Sequence, residues 1–534
     1  MSKNRDNSLL SIILALSIVT LSCGLAAPTE HPFETIKSYG GEAFDEAAAA
    51  EAPLLMQGTA AFMPHESGDG LEPPNDEPYD DMFFENYGVN PFIDTEDDHF
   101  STFALDVDTG SYSIARRYVS DGSLPPKDAI RVEEFVNYFN QGYASPPAGQ
   151  AFAIHLDGGP TPYTETERYQ ILRVGIQGYT VSPEDRKDAS LTFVIDVSGS
   201  MERENRLELV KDSLELLVEQ LGPNDTVAIV VYGSTAHTIL EPTSGAETRT
   251  IMRAINRLQP EGSTNAEAGI RLGYDLALQS FIPGGINRVI LCSDGVANVG
   301  NTGSGSIWDT VKAKASEGIT LTTLGFGMGN YNDVLMEQLA NNGDGFYAYI
   351  DTFKEAERIF IDNLMSALQV IALDAKIQVD FNPEVVARYR LVGFENRAIA
   401  DEDFRNDSVD AGEIGAGHSV TALYEVKLHE GAGGRIATIY LRWEDPDTHE
   451  VIELDQTFSS EQFASSFDQT SPYFQWAVLV AEYAEILRGS YWAQNSTLTG
   501  LLEEVQRVSR LLDDQDVAEF VQLVRTASSI PIRD

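Results

Sequence analysis

Cysteine and basic residues are scarce in this chain. Its 534 residues include two cysteines and 36 Lys and Arg against 83 Asp and Glu, so the formal net charge is −47 at pH 7. This balance argues against a nucleic-acid partner, because phosphate binding needs clustered Lys and Arg. It also argues against adsorption to an anionic membrane surface. Since the acids are spread along the whole chain, we interpret them as solvated surface that keeps the protein soluble.

Long apolar runs are also missing, apart from one near the N-terminus. There a basic start precedes an apolar stretch from Leu9 to Leu21, which is shorter than the ~20 residues that a membrane span needs. Small residues and Cys23 follow, an order typical of a targeting segment. The segment resembles a bacterial lipoprotein signal, in which Cys23 would be acylated; the alternative is an ordinary secretory signal cleaved near Ala26. With Cys23 lipidated, Cys292 would have no disulfide partner within the monomer.

The most informative segment is 193–200, which reads Phe-Val-Ile-Asp-Val-Ser-Gly-Ser. An apolar run ends abruptly in Asp196, Ser198 and Ser200, spaced two apart. In a loop that leaves a strand, this spacing can turn one carboxylate and two hydroxyls toward a common point. Oxygen ligands of this kind suit Mg²⁺ or Mn²⁺, which take a near-octahedral oxygen shell and keep several waters. The segment therefore predicts a divalent-cation site at the end of a strand.

Strand and helix patterns alternate over residues 189–369. Strands separated by such helices form a mostly parallel, doubly wound sheet covered on both faces, which is a Rossmann-like α/β fold. The link from 232 to 236 is too short for a crossover helix, so that pair of strands should form an antiparallel hairpin at one edge. Ligands bind such a sheet at the carboxyl ends of its strands. Asp196 and Asp294 both stand at predicted strand ends.

The pattern D-x-S-x-S, followed by Thr264 and then by Asp294, resembles the von Willebrand factor type A family. The resemblance implies a metal ion-dependent adhesion site with ligands from three loops: Asp196, Ser198, Ser200, Thr264 and Asp294. It implies Mg²⁺, with Mn²⁺ or Ca²⁺ as alternatives, and a coordination position that an Asp or Glu of a protein partner takes. Two aspartates against one dication would leave the site itself neutral.

We expect several modules around this domain, in a layout similar to bacterial YfbK-type envelope proteins. Strand patterns at 151–188 and 370–465 predict one β-sandwich, into which the 189–369 domain is inserted. The other predicted segments are a signal peptide at 1–23, a disordered acidic spacer at 24–98, a small N-terminal α/β segment at 99–150 and C-terminal helices at 466–534. An apolar stripe on the first C-terminal helix, from Ala477 to Leu487, favours a core position.

An enzymatic function is the weaker alternative. Asp106 and Asp108 resemble the acid pair of haloacid dehalogenase-type phosphatases, but Gly110 stands where that family has Thr or Val. A turn or helix cap formed by Asp108 and Thr109 explains the same residues. We therefore predict that the protein is not an enzyme.

The sequence thus predicts a metal-dependent protein-binding module of the bacterial cell envelope, anchored to the membrane by a lipid at Cys23. The alternative is a structural envelope lipoprotein in which the ion only stabilises the loops. The two functions differ in what removal of the ion does, because only the first predicts the selective loss of a partner.

Overall fold

The computed structural model describes residues 84–531, except 164–167, 183–184, 296–304, 328–330 and 364–367. The predicted signal peptide, including Cys23, lies outside the described residues, as does the larger part of the predicted spacer. Among the helices that are described, none has the length and apolar character that crossing a bilayer requires.

Sixteen strands and eleven helices are assigned in the described part of the chain. The strands are β1 Ile93–Asp94, β2 Phe100–Ala104, β3 Phe152–Gly159, β4 Tyr169–Gly178, β5 Ala189–Asp196, β6 Thr226–Tyr232, β7 Ala236–Ser244, β8 Ile286–Ser293, β9 Thr320–Phe326, β10 Tyr347–Ile350, β11 Val370–Phe381, β12 Val386–Val392, β13 Gly412–Gly415, β14 Ser419–Leu428, β15 Arg435–Glu444 and β16 Val451–Ser459. The helices are α1 Gly110–Ser120, α2 Val132–Tyr138, α3 Arg206–Val218, α4 Thr248–Ile255, α5 Ala266–Gln279, α6 Gly305–Ser316, α7 Asp333–Asn341, α8 Phe353–Glu357, α9 Pro472–Leu487, α10 Leu498–Ser509 and α11 Gln515–Ser529.

Strands β5 to β10 form one sheet in the order β10-β9-β8-β5-β6-β7, which we call the sheet of the central domain. All neighbouring pairs are parallel except β6 and β7, the predicted edge hairpin. Phe193 and Ile195 of β5 belong to the same buried cluster as Leu214 of α3, whereas Val194 belongs to that of Tyr274 of α5. Alternate side chains thus enter cores on opposite faces, and the predicted doubly wound α/β fold is confirmed.

Two antiparallel sheets form the predicted β-sandwich. One has the order β1-β12-β14-β4-β3, and the other has the order β13-β11-β15-β16 with β2 also paired to β11. Leu172 and Val174 of the first sheet and Ile377 of the second lie in one buried cluster. Since β4 ends at Gly178, before the central domain, and β11 begins at Val370, after it, the central domain is inserted into the sandwich.

Residues 84–104 belong to the folded body. Phe84 is buried, β1 pairs with β12 through Ile93 and Tyr389, and β2 pairs with β11 along its whole length. The spacer predicted at 24–98 is therefore too long at its C-terminal end, and the segment predicted at 99–150 gives its first strand to the sandwich. Strands of two to five residues carry too little pattern to be recognised before their pairing partners are known.

Helices α1, α2 and α9 to α11 share one buried core, which we call the helical layer. Aromatic contacts occupy its centre: Tyr112 meets Phe135 with ring centroids 5.4 Å apart, and Trp476 meets Phe520 at 5.2 Å. Pairs of this geometry add about 0.5–1.5 kcal/mol each beyond their burial. The stripe from Ala477 to Leu487 is buried here. The predicted N-terminal and C-terminal segments therefore form a single layer, although the central domain and most of the sandwich separate them in sequence.

Arg116 of α1 joins the helical layer to the central domain. Its Nε donates to Asp351 Oδ2 at 2.9 Å and its Nη2 donates to Glu355 Oε2 at 2.8 Å. The Tyr138 hydroxyl donates to the same Glu355 oxygen at 2.8 Å. All three charged side chains are at most 4% exposed. Because a buried charge without its partner is costly, this network fixes the end of β10 and the start of α8 against α1.

Candidate metal centre

Asp196, the last residue of β5, is fully buried and held from two sides. Its Oδ1 accepts a hydrogen bond from the Ser198 backbone N–H at 2.8 Å, and its Oδ2 accepts one from the Ser293 hydroxyl at 3.1 Å. Burial raises the pKa of Asp196 to about 6, against the lowering effect of the bonds from Ser198, and the nearby charge of Asp294 adds to the rise. Its carboxylate is thus positioned before any ligand arrives.

The two serines of the D-x-S-x-S segment connect Asp196 to Asp294. The Ser198 and Ser200 hydroxyl oxygens lie 3.0 Å apart, and the Ser200 hydroxyl donates to Asp294 Oδ1 at 3.0 Å. Four of the five predicted ligands therefore form one continuous set of contacts, although Asp294 is far from the serines in sequence. The parallel pairing of β5 and β8 brings them together, because it places the carboxyl ends of both strands at one edge.

Thr264 lies on a loop that packs against the serine loop. The Gly199 N–H donates to the Gly262 carbonyl at 3.3 Å, and the Glu261 N–H donates to the Val197 carbonyl at 2.5 Å. Thr264 itself is half-buried. Within the described residues its hydroxyl forms no direct hydrogen bond with Ser198, Ser200 or Asp294, so its part in the centre stays a prediction.

Arg206, the first residue of α3, is a member of the centre that the sequence did not predict. Its Nη1 donates to Asp294 Oδ2 at 2.7 Å, and both side chains are 5% exposed. No local pattern marks this arginine, since ten positions separate it from Asp196 and its partner follows a different strand. The neutral site predicted from two aspartates and a dication is therefore corrected: with Arg206 included, an ion-loaded centre carries a formal charge of +1.

The donor set fits a hard divalent cation. Carboxylates and hydroxyls are the oxygen donors that Mg²⁺, Mn²⁺ and Ca²⁺ prefer, and Asp196, Ser198, Ser200 and Asp294 offer them within contacts of about 3 Å. Such an arrangement can hold an ion and present it to an anion.

Asp106 and Asp108, the pair that resembles a phosphatase motif, lie elsewhere. Arg397 donates to Asp106 Oδ2 at 2.9 Å and to Asp108 Oδ2 at 3.2 Å, and the Tyr347 N–H donates to Asp108 Oδ1 at 2.9 Å. Asp106 also accepts from the Asp108 N–H at 2.8 Å, so the local turn is closed by the side chain of Asp106 and not, as predicted, by Asp108 and Thr109. The predicted helix cap at Thr109 makes no side-chain cap hydrogen bond. Both carboxylates are thus engaged where the sandwich and the central domain meet.

A second group of acids, which the sequence did not predict, lies in the sandwich. Carboxylate oxygens of Asp374, Asp410 and Glu413 fall within 4.8 Å of one another. The pairing of β11 with β13 brings them together. Burial raises the pKa of Glu413 well above its ordinary value, and the neighbouring Asp344, Asp410 and Asp374 raise it further.

Family comparisons agree with this architecture. The family model described as von Willebrand factor type A domain matches residues 190–362, and one described as von Willebrand factor matches 78–172. The model of the C-terminal part of uncharacterized protein YfbK matches 366–434 and 429–530. Uncharacterized protein YfbK of Escherichia coli K12 is 34% identical over 523 residues, which cover 93% of this chain and 88% of that protein. The chain belongs to the YfbK family.

Other proteins are similar to this YfbK-family chain over a smaller share of its length and at lower sequence identity. Human inter-alpha-trypsin inhibitor heavy chain H3 is 28% identical over 230 residues, which cover 41% of this chain and 23% of that protein. A solved structure titled von Willebrand factor type A from Catenulispora acidiphila is 13% identical, with a TM-score of 0.43, over 74% of this chain and 99% of that one. The central domain of this YfbK-family member is a von Willebrand factor type A domain, a family of protein–protein interaction modules.

Proposed function

We propose that this chain is a metal-dependent protein-binding module of the bacterial cell envelope. The ion is Mg²⁺, or Mn²⁺ or Ca²⁺ in its place, and it is held by Asp196, Ser198, Ser200, Thr264 and Asp294. A carboxylate of a protein partner completes its coordination. The observation that carries the proposal is the set of contacts that runs from Asp196 through both serines to Asp294 at the carboxyl edge of the sheet.

The chemistry of the donors favours an anionic partner. Hydroxyls are neutral ligands, so the serines remove none of the ion's charge; the two aspartates offset it, and Arg206 leaves the loaded centre with a formal charge of +1. A carboxylate of the partner meets that charge at contact distance, where salt does not screen it. One such contact gives an affinity on the order of micromolar to millimolar, so the surrounding surface must supply the rest of the binding energy and the choice of partner.

The N-terminal segment supports a location in the envelope. Its apolar stretch and Cys23 resemble a lipoprotein signal, and the net charge of −47 provides no attraction to anionic lipids. Membrane attachment would therefore depend on the acyl chain. We expect Cys23→Ala to abolish incorporation of labelled fatty acid and to release the protein from membranes. Continued fractionation of this variant with membranes would contradict the lipid anchor.

Partner capture tests the binding function directly. The wild type should retain an envelope protein from extracts in Mg²⁺ and release it in EDTA. Ser198→Ala should lose that partner, because one hydroxyl donor is removed, and should keep its melting temperature in metal-free buffer. The matched control is Ser182→Ala, which removes an exposed hydroxyl outside the centre and should capture the partner normally.

The structural alternative predicts a different result. If the ion only stabilises the loops, EDTA should lower the melting temperature by many degrees and Ser198→Ala should leave every partner in place. Calorimetry tests both functions at once, since a wild-type protein that takes up no Mg²⁺ at millimolar concentrations contradicts the two of them.

A further inference from the structure

Arg206 contacts Asp294 of the candidate metal centre, and the two carboxylate oxygens of Asp294 have different hydrogen-bond partners. Oδ2 accepts from Arg206 Nη1 at 2.7 Å, while Oδ1 accepts from the Ser200 hydroxyl at 3.0 Å. One oxygen therefore faces a buried cation and the other faces the serines that would hold the ion. This division orients Asp294 and also places a permanent positive charge within the centre.

We propose that Arg206 sets the net charge of the ion-loaded centre and thereby makes it select an anionic ligand; this rests on the proposed function. Asp196, Asp294 and Arg206 sum to a formal charge of −1, and a dication changes this to +1. Without Arg206 the loaded centre would be neutral. Glu204 lies 3.8 Å from Arg206, but its side chain is 48% exposed, so solvent screens most of its charge.

The surroundings of Arg206 keep its charge in place. The guanidinium packs against Gly327, just after β9, where an added Cβ would lie 2.1 Å from Arg206 Nε. Gly327 also has a φ of +84°, a conformation that favours glycine. The backbone of Gly327 therefore lies directly against the guanidinium, and the Arg206 side chain is only 5% exposed.

Two effects of opposite sign follow from this charge. Arg206 repels the incoming dication, so its removal should tighten ion binding. It attracts a carboxylate that binds to the loaded ion, so its removal should weaken capture of that carboxylate. Buried charges a few ångströms apart interact strongly even at an effective dielectric constant of about 20, so we expect each affinity to change by about tenfold or more.

The experiment compares Arg206→Gln with Arg206→Lys in the full chain at pH 8. Calorimetry gives the affinity for Mn²⁺. Acetate, used as the simplest carboxylate, is then titrated into Mn²⁺-loaded protein, and water-proton relaxation follows the displacement of bound water. R206Q should bind Mn²⁺ about tenfold more tightly and acetate about tenfold more weakly, while R206K should resemble the wild type. Arg203→Gln removes an exposed arginine of the same loop and controls for the change in total charge.

The outcomes separate this role from simpler ones. Weaker binding of both Mn²⁺ and acetate by R206Q would mean that Arg206 only positions Asp294, and unchanged binding of both would remove any role; either result overturns the proposal. If Mn²⁺-loaded wild type does not bind acetate, the proposed function fails. The Mn²⁺ affinities of the wild type and R206Q still decide whether Arg206 sets the charge. Should R206Q not fold, Arg206→Met supplies a second uncharged variant.

Discussion

At the scale of single residues, two glycines let the loops of the candidate centre approach one another. Gly262 has a φ of +74°, and an added Cβ would lie 2.5 Å from Ser234 Oγ. Gly327 has a φ of +84° and touches Arg206 in the same way. Any other residue would be strained in its backbone and would also collide with a neighbour. These two positions therefore require glycine as strictly as the predicted metal ligands require oxygen-bearing side chains.

Gly327→Ala should destabilise the protein by about 3 kcal/mol, since it combines backbone strain with a collision on a buried arginine. It should also weaken Mn²⁺ binding, because Arg206 and Asp294 must shift together. Urea denaturation and calorimetry measure the two effects. Gly284→Ala is the control: its φ is +73° but nothing lies within 4 Å of the added Cβ, so it should cost only about 1 kcal/mol. Equal losses from both variants would show that strain alone matters.

At the scale of elements, buried ion pairs join one module to the next. The four residues of β10 are all buried, and the network of Arg116, Asp351 and Glu355 holds the end of β10 and the start of α8 against α1. The sequence predicted most strands and helices of the central domain from their periodicity. It missed β10, β1 and β2, because strands this short are defined by their pairing partners rather than by their own residues.

Asp351→Asn should destabilise the protein by about 3 kcal/mol, because Arg116 would stay buried with its charge only partly compensated. The matched control is Asp407→Asn, which removes a carboxylate that pairs with Arg442 but is 60% exposed; such a pair is worth about 0.5 kcal/mol. Urea denaturation of both variants gives the comparison. If Asp351→Asn loses no more unfolding free energy than Asp407→Asn, the network does not stabilise the packing of the modules.

At the scale of the whole molecule, the excess of acidic residues lowers folding stability where several carboxylates lie close together and are partly buried. Asp344, just before β10, faces the acids of the sandwich. Burial raises its pKa to about 6, with further contributions from Asp410 and Asp374. The folded protein therefore binds a proton on Asp344 at pH values where the unfolded chain, with an ordinary carboxyl pKa near 3.9, has released it.

Stability should consequently fall as the pH rises from about 4 through 6, as protons are lost from the folded state. Asp344→Asn should reduce this loss and raise stability at pH 8 by about 1–2 kcal/mol. Asparagine suits the site, because Asp344 has a φ of +48°, a conformation that asparagine tolerates. Melting temperatures at pH 5 and pH 8 test this, with the exposed Asp455→Asn as control. A variant that melts lower than the wild type at pH 8 would contradict the assignment.

The sequence by itself determined the doubly wound central domain and the positions of Asp196, Ser198, Ser200 and Asp294. These features can be recognised from contiguous residues, because each is an apolar strand whose end carries oxygen-bearing side chains. Parallel pairing then fixes which strand ends share an edge, so their convergence could be predicted without coordinates.

Only the tertiary structure decided which charges meet. Arg206 on Asp294 and the gathering of Asp374, Asp410 and Glu413 depend on the path of segments far apart in sequence. The helical layer likewise unites α1 and α2 with α9 to α11. Local periodicity does not predict such contacts. A buried ion pair needs one residue from each of two segments, and neither segment alone shows where the other will lie.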